Sequence, residues 1–260
     1  SARPQSCRYI APMLTTDISA LRAAVGFGVA GNFAGHLEQA GEAADFAGVT
    51  AASAEAPKGI CPWYVPGHES FLAQFPISSD QLELPVSVEP LNLQIEPEVV
   101  VLFDVAYGAD GRVVSLTPTA VGAFNDCSIR RPGARKISEK KNWGPASKGL
   151  APRVFAVDDL SADGSLRTLR IASFLRRDGV VHAYGIDSAA ADYSYIGERL
   201  IGWIIDRLHH QEGAADTPLE AVGAMLTACG SPLRAVVGIG ATRYTPVGES
   251  TYLVAGDESI

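Results

Sequence analysis

Residues 95–149 constrain this chain more tightly than any other stretch. Glu96-Pro97-Glu98 leads into the apolar run Val99-Val100-Val101-Leu102-Phe103, and a hairpin returns the chain to Asn125-Asp126-Cys127-Ser128. Trp143-Gly144-Pro145-Ala146-Ser147-Lys148-Gly149 closes the stretch. Strand side chains alternate with period 2, so Glu96 and Glu98 share one face. Asp126 returns after the hairpin, and Lys148 follows 22 residues later. Three carboxylates offer only hard oxygen donors, which suit Mg²⁺ or Mn²⁺ before zinc or copper. Such an ion would hold a bidentate oxygen substrate, a 2-keto acid or 1,3-diketone, and the enolate left when a neighbouring carbon–carbon bond breaks. Lys148 would add fixed positive charge where negative charge develops. Spacing alone also permits a plainer reading, in which the glutamates start an exposed strand and Asp126 ends a loop.

At 260 residues with 47 % apolar and 19 % charged side chains, the chain has globular composition and enough length for a substantial core. A formal net charge of -8 argues against nucleic acid or anionic lipid as the main partner. No apolar run reaches the ~18 residues of a membrane span, and no signal-peptide pattern stands in the first 30 residues. Cys7, Cys61, Cys127 and Cys229 form no CxxC or Cys-His metal pattern, so a reducing, cytoplasmic setting is expected. Cys127 adjoins Asp126, but no general base lies nearby in sequence, and a buried unreactive thiol is the expectation.

Thr15-Thr16-Asp17 caps a short helix over 18–24. Gly26-Phe27-Gly28-Val29-Ala30-Gly31 matches GxGxxG, a dinucleotide pattern only when a strand precedes it and an acid ends the next strand. A helix is expected before it, so the glycines read as close backbone packing in a turn. Residues 32–46 read as about three helical turns carrying His36, Glu38, Gln39 and Glu42. A histidine with an acid one turn away suits general-base chemistry, although a solvated helix face has the same spacing. The proline-rich residues 56–93, with Trp63, Tyr64 and His68-Glu69, read as a long ordered loop or lid. Strand character is expected over 166–174, a hairpin turn at Asp178-Gly179, and an amphipathic helix over 193–208. A capping box at Thr217-Pro218-Leu219-Glu220 predicts a helix to about Ala228, and 233–239 an apolar strand. The balance is α+β with a dominant β core.

In order, these pieces resemble the fumarylacetoacetate hydrolase family. Gly31-Asn32-Phe33-Ala34-Gly35-His36 is similar to its N-terminal GxNYxxH motif, and Glu96-Pro97-Glu98 to its metal-binding ExE strand. Asn125-Asp126-Cys127-Ser128-Ile129-Arg130 resembles its NDVSAR motif, and Trp143 with Ser147-Lys148-Gly149 its W…AKG segment. The 240–248 turn and Gly256-Asp257 match its C-terminal motifs. The resemblance implies a β-sandwich roll with flanking helices in a single domain spanning 1–260. In that domain 1–93 would be N-terminal helices and lid and 94–260 the metal-binding β core. It further implies a homodimer with Mg²⁺ or Mn²⁺ on Glu96, Glu98 and Asp126. His36 and Lys148 would be catalytic, and Arg130 and Thr242 would contact substrate.

The implied activity is hydrolase or lyase cleavage of a carbon–carbon bond in a small keto-acid-like substrate. Decarboxylation, tautomerisation and a noncatalytic binding role on the same fold are the alternatives. Four positions depart from the family pattern. Gln39 stands where the acid partner of the histidine belongs, and Arg131 replaces the aspartate after the motif arginine. Leu150-Ala151 lacks the acid after the lysine motif, and Tyr64-Val65-Pro66 lacks the lysine of the F.KP segment.

Overall fold

The computed structural model describes residues 12–87, 89–131 and 134–260; Cys7 and the first part of the N-terminal region fall outside it. In chain order the strands are β1 (Met13–Thr15), β2 (Val25–Ala30), β3 (Gly59–Tyr64), β4 (Ile77–Ser78), β5 (Leu93–Gln94), β6 (Pro97–Tyr107) and β7 (Val113–Asn125). They continue with β8 (Ser128–Ile129), β9 (Lys148–Leu150), β10 (Arg153–Ala156), β11 (Arg170–Arg177), β12 (Val180–Ala189), β13 (Arg234–Ala241) and β14 (Glu258–Ser259). The helices are α1 (His36–Gln39), α2 (Gly197–His210), α3 (Val222–Ala228) and α4 (Pro246–Ser250). The chain is α+β and dominated by its strands, as expected.

The main sheet runs β1-β10-β7-β6-β13-β2-β3, with β9 and β4 attached beside β7. Its axis is the long β6–β7 hairpin, paired from Pro97↔Asn125 to Tyr107↔Val113. The apolar run of β6 explains its central place: Val100 and Val101 are fully buried, the pattern of a strand covered on both faces. β13 lies antiparallel to β6 and parallel to β2, so the β2–β13 connection must cross the sheet. α2 belongs to that crossover. Its Leu200, Ile204 and Leu208 are buried at i, i+4 and i+8 and pack over the sheet, each worth roughly 1.5–3 kcal/mol of burial. Asp178 and Gly179 both take positive φ (51° and 78°), which makes the expected two-residue turn between β11 and β12.

Five expectations change. The GxGxxG glycines lie in strand β2, and the proline-rich "lid" contains β3, which ends the main sheet beside β2 and is buried along its whole length. A carbon added at Gly26 would stand 2.1 Å from the Trp63 ring, so the glycine is there to let an indole pack against β2. The helix expected over 32–46 is reduced to the single turn α1. Gly35 and Gly41, at φ of 84° and 69°, hold left-handed backbone on either side of it. The helix expected from Thr217 starts only at Val222, because Lys136 Nζ takes the carbonyls of Ala214, Thr217 and Leu219 at 2.7–2.8 Å. Those carbonyls are thereby kept out of a helical ladder. Strand β11 begins at Arg170, since Ser165–Thr168 forms a 3₁₀ turn ahead of it.

Gly26→Ala is expected to lower stability by about 1–3 kcal/mol through overpacking against Trp63. Urea denaturation reads this, and an unchanged midpoint would show that the indole has room to move.

Candidate active site

The hairpin creates the site at its open end. Pro97 pairs with Asn125, so the residue before β6 and the residue after β7 are neighbours. The Glu96 N–H donates to Asn125 Oδ1 at 3.1 Å, and the Asp126 N–H donates to the Glu96 carbonyl at 3.0 Å. Glu98, one pleat along, faces Ala241 at the end of β13. All three carboxylates are buried, at 2 %, 3 % and 2 % exposure for Glu96, Glu98 and Asp126. The sheet leaves space for them by having no side chains beneath. A carbon added at Gly238 of β13 would meet Glu98 Oε2 at 2.2 Å, and one at Gly28 of β2 would touch Asp126 Oδ2 at 3.5 Å.

Cations surround this cluster. Lys141 Nζ stands between Glu96 Oε2 (2.7 Å) and Asp126 Oδ2 (2.8 Å). Arg130 donates from NH2 to Glu96 Oε1 and from NH1 to Glu42 Oε1, both at 2.6 Å, and from Nε to Gln94 Oε1 at 2.6 Å. Lys148, fully buried, lies 2.9 Å from Asp126 Oδ1 and donates to the Cys127 carbonyl at 2.5 Å. Burial opposes the charge of Lys141 and Arg130, but the adjoining carboxylates outweigh it and hold both well above their usual values. Burial likewise raises Glu96, yet Lys141 and Arg130 bring it well below the carboxylate range. Glu98 differs: burial, then Asp126 and Glu96, push it well above that range, and among the described residues no cation pairs with it. With Glu98 protonated, Glu42, Asp45, Glu96 and Asp126 balance Arg130, Lys140, Lys141 and Lys148.

His36 lines the same small cavity as Glu42, Glu96, Glu98, Asp126 and Lys141. Its Nδ1 lies 2.9 Å from the Thr242 carbonyl. A carbonyl only accepts, so Nδ1 carries the proton and Nε2 is left as the basic nitrogen. Burial lowers the His36 pKa, which keeps the ring neutral and able to accept a proton.

The family model that matches covers residues 42–260 and is described as a family of unknown function (DUF5718). The chain belongs to that family. No curated protein sequence matches it. Among solved structures, Cg1458 with inhibitor is similar at TM-score 0.50 and 14 % identity, over 96 % of this chain and 73 % of that one. 2-Keto-3-deoxyarabinonate dehydratase is similar at TM-score 0.49 and 16 % identity, covering 90 % and 68 %. A proposed fumarylacetoacetate hydrolase family protein from Yersinia pestis CO92 gives TM-score 0.46 and 13 % identity, covering 90 % and 86 %. The Cg1458 match shows a shared fold.

The structure thus brings His36, Glu96, Glu98, Asp126, Arg130 and Lys148 into one region. Thr242 is there too, but its hydroxyl turns to the Pro97 carbonyl (3.3 Å), and its own carbonyl is the part that faces His36. Gln39 does not orient the histidine; it exchanges hydrogen bonds with the Tyr244 backbone. Arg131 is exposed and adds no charge to the cavity. His68 bonds to Ser70 and stands apart from the cluster. Cys127 is buried and its thiol is pushed up to about 12, so it is inert, as expected. Sequence reasoning missed Lys141 and the partnership of Glu42 with Arg130. The one signal was a Lys140-Lys141 pair just ahead of the Trp143 segment.

The three carboxylates have the right chemistry for a divalent ion, each with an oxygen within 4.8 Å of the others. Room and charge are a separate test. Both oxygens of Glu96 and both of Asp126 already face a cation, and the adjoining cavity of about 30 Å³ holds roughly one water. With Lys141 in this position, the residues do not fit a divalent ion.

Arg130→Met would leave Glu42 with only the longer Lys140 contact at 3.7 Å and Glu96 with Lys141 on one oxygen alone, and is expected to cost about 3 kcal/mol by urea denaturation. Arg130→Lys should restore only part of this, since one ammonium cannot replace a three-armed fork. The depressed His36 pKa also sets a pH dependence. Below about 6.5 the unfolded chain binds a proton there that the folded chain refuses. Stability should therefore fall as pH drops from 6.5 toward the folded value, and His36→Gln should flatten that part of the profile.

Proposed function

We propose that this protein is an enzyme that enolises a small keto-acid-like substrate, with His36 as the base and the buried cations as the charge that receives the enolate. The observation that carries this reading is a neutral, buried imidazole whose proton is fixed on Nδ1, set beside a cluster of compensated carboxylates and lysines. In the proposed step, the proton on carbon next to the keto group passes to His36 Nε2. The C–H electron pair becomes the enolate double bond, and the negative charge settles on oxygen near Lys141, Lys148 and Arg130. A substrate carboxylate would enter by replacing a protein carboxylate at Arg130, which keeps the charge-assisted bonds in number. The same enolate serves carbon–carbon hydrolysis, decarboxylation and tautomerisation. Hydrolysis also needs an activated water, and with Gln39 turned to Tyr244 only His36 is available for that.

A noncatalytic binding role is favoured by one observation: Glu42, Glu96 and Asp126 are already paired with Arg130, Lys141 and Lys148, so the cations are compensated before a substrate arrives. Exchange of C3 protons of 2-keto and 2,4-diketo acids in D₂O, followed by NMR, separates the two readings without waiting for bond cleavage. Wild-type protein is expected to accelerate exchange, and His36→Gln to reduce it by about 10²–10⁴-fold. Exchange no faster than in buffer across the panel would leave the binding role.

A further inference from the structure

The fold resemblance brings with it a metal site, and the residues of this chain disagree with it at one place. Glu96, Glu98 and Asp126 converge as an ion would require, yet a lysine from the turn after Ile137–Lys140 enters between two of them. Its ammonium is not a surface group that happens to lie near. Lys141 is 7 % exposed, and its nitrogen is 2.7 Å and 2.8 Å from one oxygen each of Glu96 and Asp126. Those are charge-assisted hydrogen-bond distances, and a lysine supplies a compact point charge with three donors. The stem is held as well. Lys140, next to it, is tied to Asp45 at 2.5 Å, and Asn142 on the other side donates to the carbonyls of Trp63 (2.7 Å) and Gln74 (2.8 Å). The backbone carrying Lys141 is thus fixed on both sides, one side to β3.

We propose that Lys141 is a resident cation that takes the place of the divalent ion, so that the centre works without a metal. The proposal concerns the same site as the enolisation reading, but it is tested by binding and not by turnover. The two can therefore fail separately. Substitution of Lys141 should open the carboxylate cluster to a real ion.

The experiment is Mn²⁺ binding by electron paramagnetic resonance and calorimetry on wild-type protein and on Lys141→Met, with Glu98→Gln added to each to identify the site. Wild-type protein is expected to bind no Mn²⁺ through Glu98 at about 1 mM metal, and Lys141→Met to bind it at least about tenfold more tightly than that. A melting temperature that rises with Mn²⁺ only in Lys141→Met would support the same conclusion. Wild-type binding that Glu98→Gln abolishes would overturn the proposal. So would a folded Lys141→Met that gains no Mn²⁺, because something other than Lys141 would then be excluding the ion. If Lys141→Met folds only when Mn²⁺ is present, the proposal stands, and if it folds in neither condition, the wild-type measurement decides alone.

Discussion

The bridge from Lys141 to Glu96 and Asp126 is the contact on which the site depends. Glu96 and Asp126 sit side by side because they flank the open end of the β6–β7 hairpin, and that pairing is fixed by register over eleven residues of β6. Two carboxylates so placed, with Glu98 a pleat away, would repel one another strongly in a dry interior. The lysine turns that repulsion into a network. A network of this kind is weak evidence for net stability, since each ion gives up its hydration to enter. Its consequence is geometric: it holds acids, cations and a histidine in one arrangement around a small cavity of about 30 Å³.

The glycines of the sheet are the other half of that arrangement. Gly26 makes room for Trp63, Gly28 for Asp126 and Gly238 for Glu98. A dinucleotide fingerprint uses glycine to bring backbone close to a phosphate, and here glycine brings backbone close to an indole and to carboxylates. The chemistry of close approach is shared, and the ligand is not.

The site was readable where it follows a period and hidden where it does not. Glu96 and Glu98 share a face because a strand alternates, and Asp126 returns because a hairpin must, so residue types at fixed spacing carried that part. Strands β2 and β3 carry glycine and proline, which are depleted in strands; β2 is buried between β13 and β3, and β3 ends the sheet, where a proline costs no ladder bond. Lys141 sits in an aperiodic loop, where nothing in the spacing points its side chain inward. The group that orients His36 is a backbone carbonyl 206 residues away, and a carbonyl leaves no mark in a sequence. The departure at Gln39 was visible, but its meaning was not. The glutamine is engaged with the Tyr244 backbone, and the histidine takes its tautomer from the neighbouring Thr242.

Charge closes the argument about the centre. Glu42, Asp45, Glu96, Glu98 and Asp126 bring five potential negative charges, and Arg130, Lys140 and Lys148 bring three positive ones to set against them. A divalent ion would supply the remaining two. In this chain, one comes from Lys141 and the other from the proton that burial and its acidic neighbours keep on Glu98. An ammonium and a carboxyl proton thus do the electrostatic work of one ion, with a difference that bears on chemistry. A metal offers open coordination positions to a substrate oxygen, whereas a lysine and a carboxylic acid offer hydrogen-bond donors. Substrate oxygen would then be bound by direction and charge, and the enolate held by N–H and O–H groups already in place before it forms.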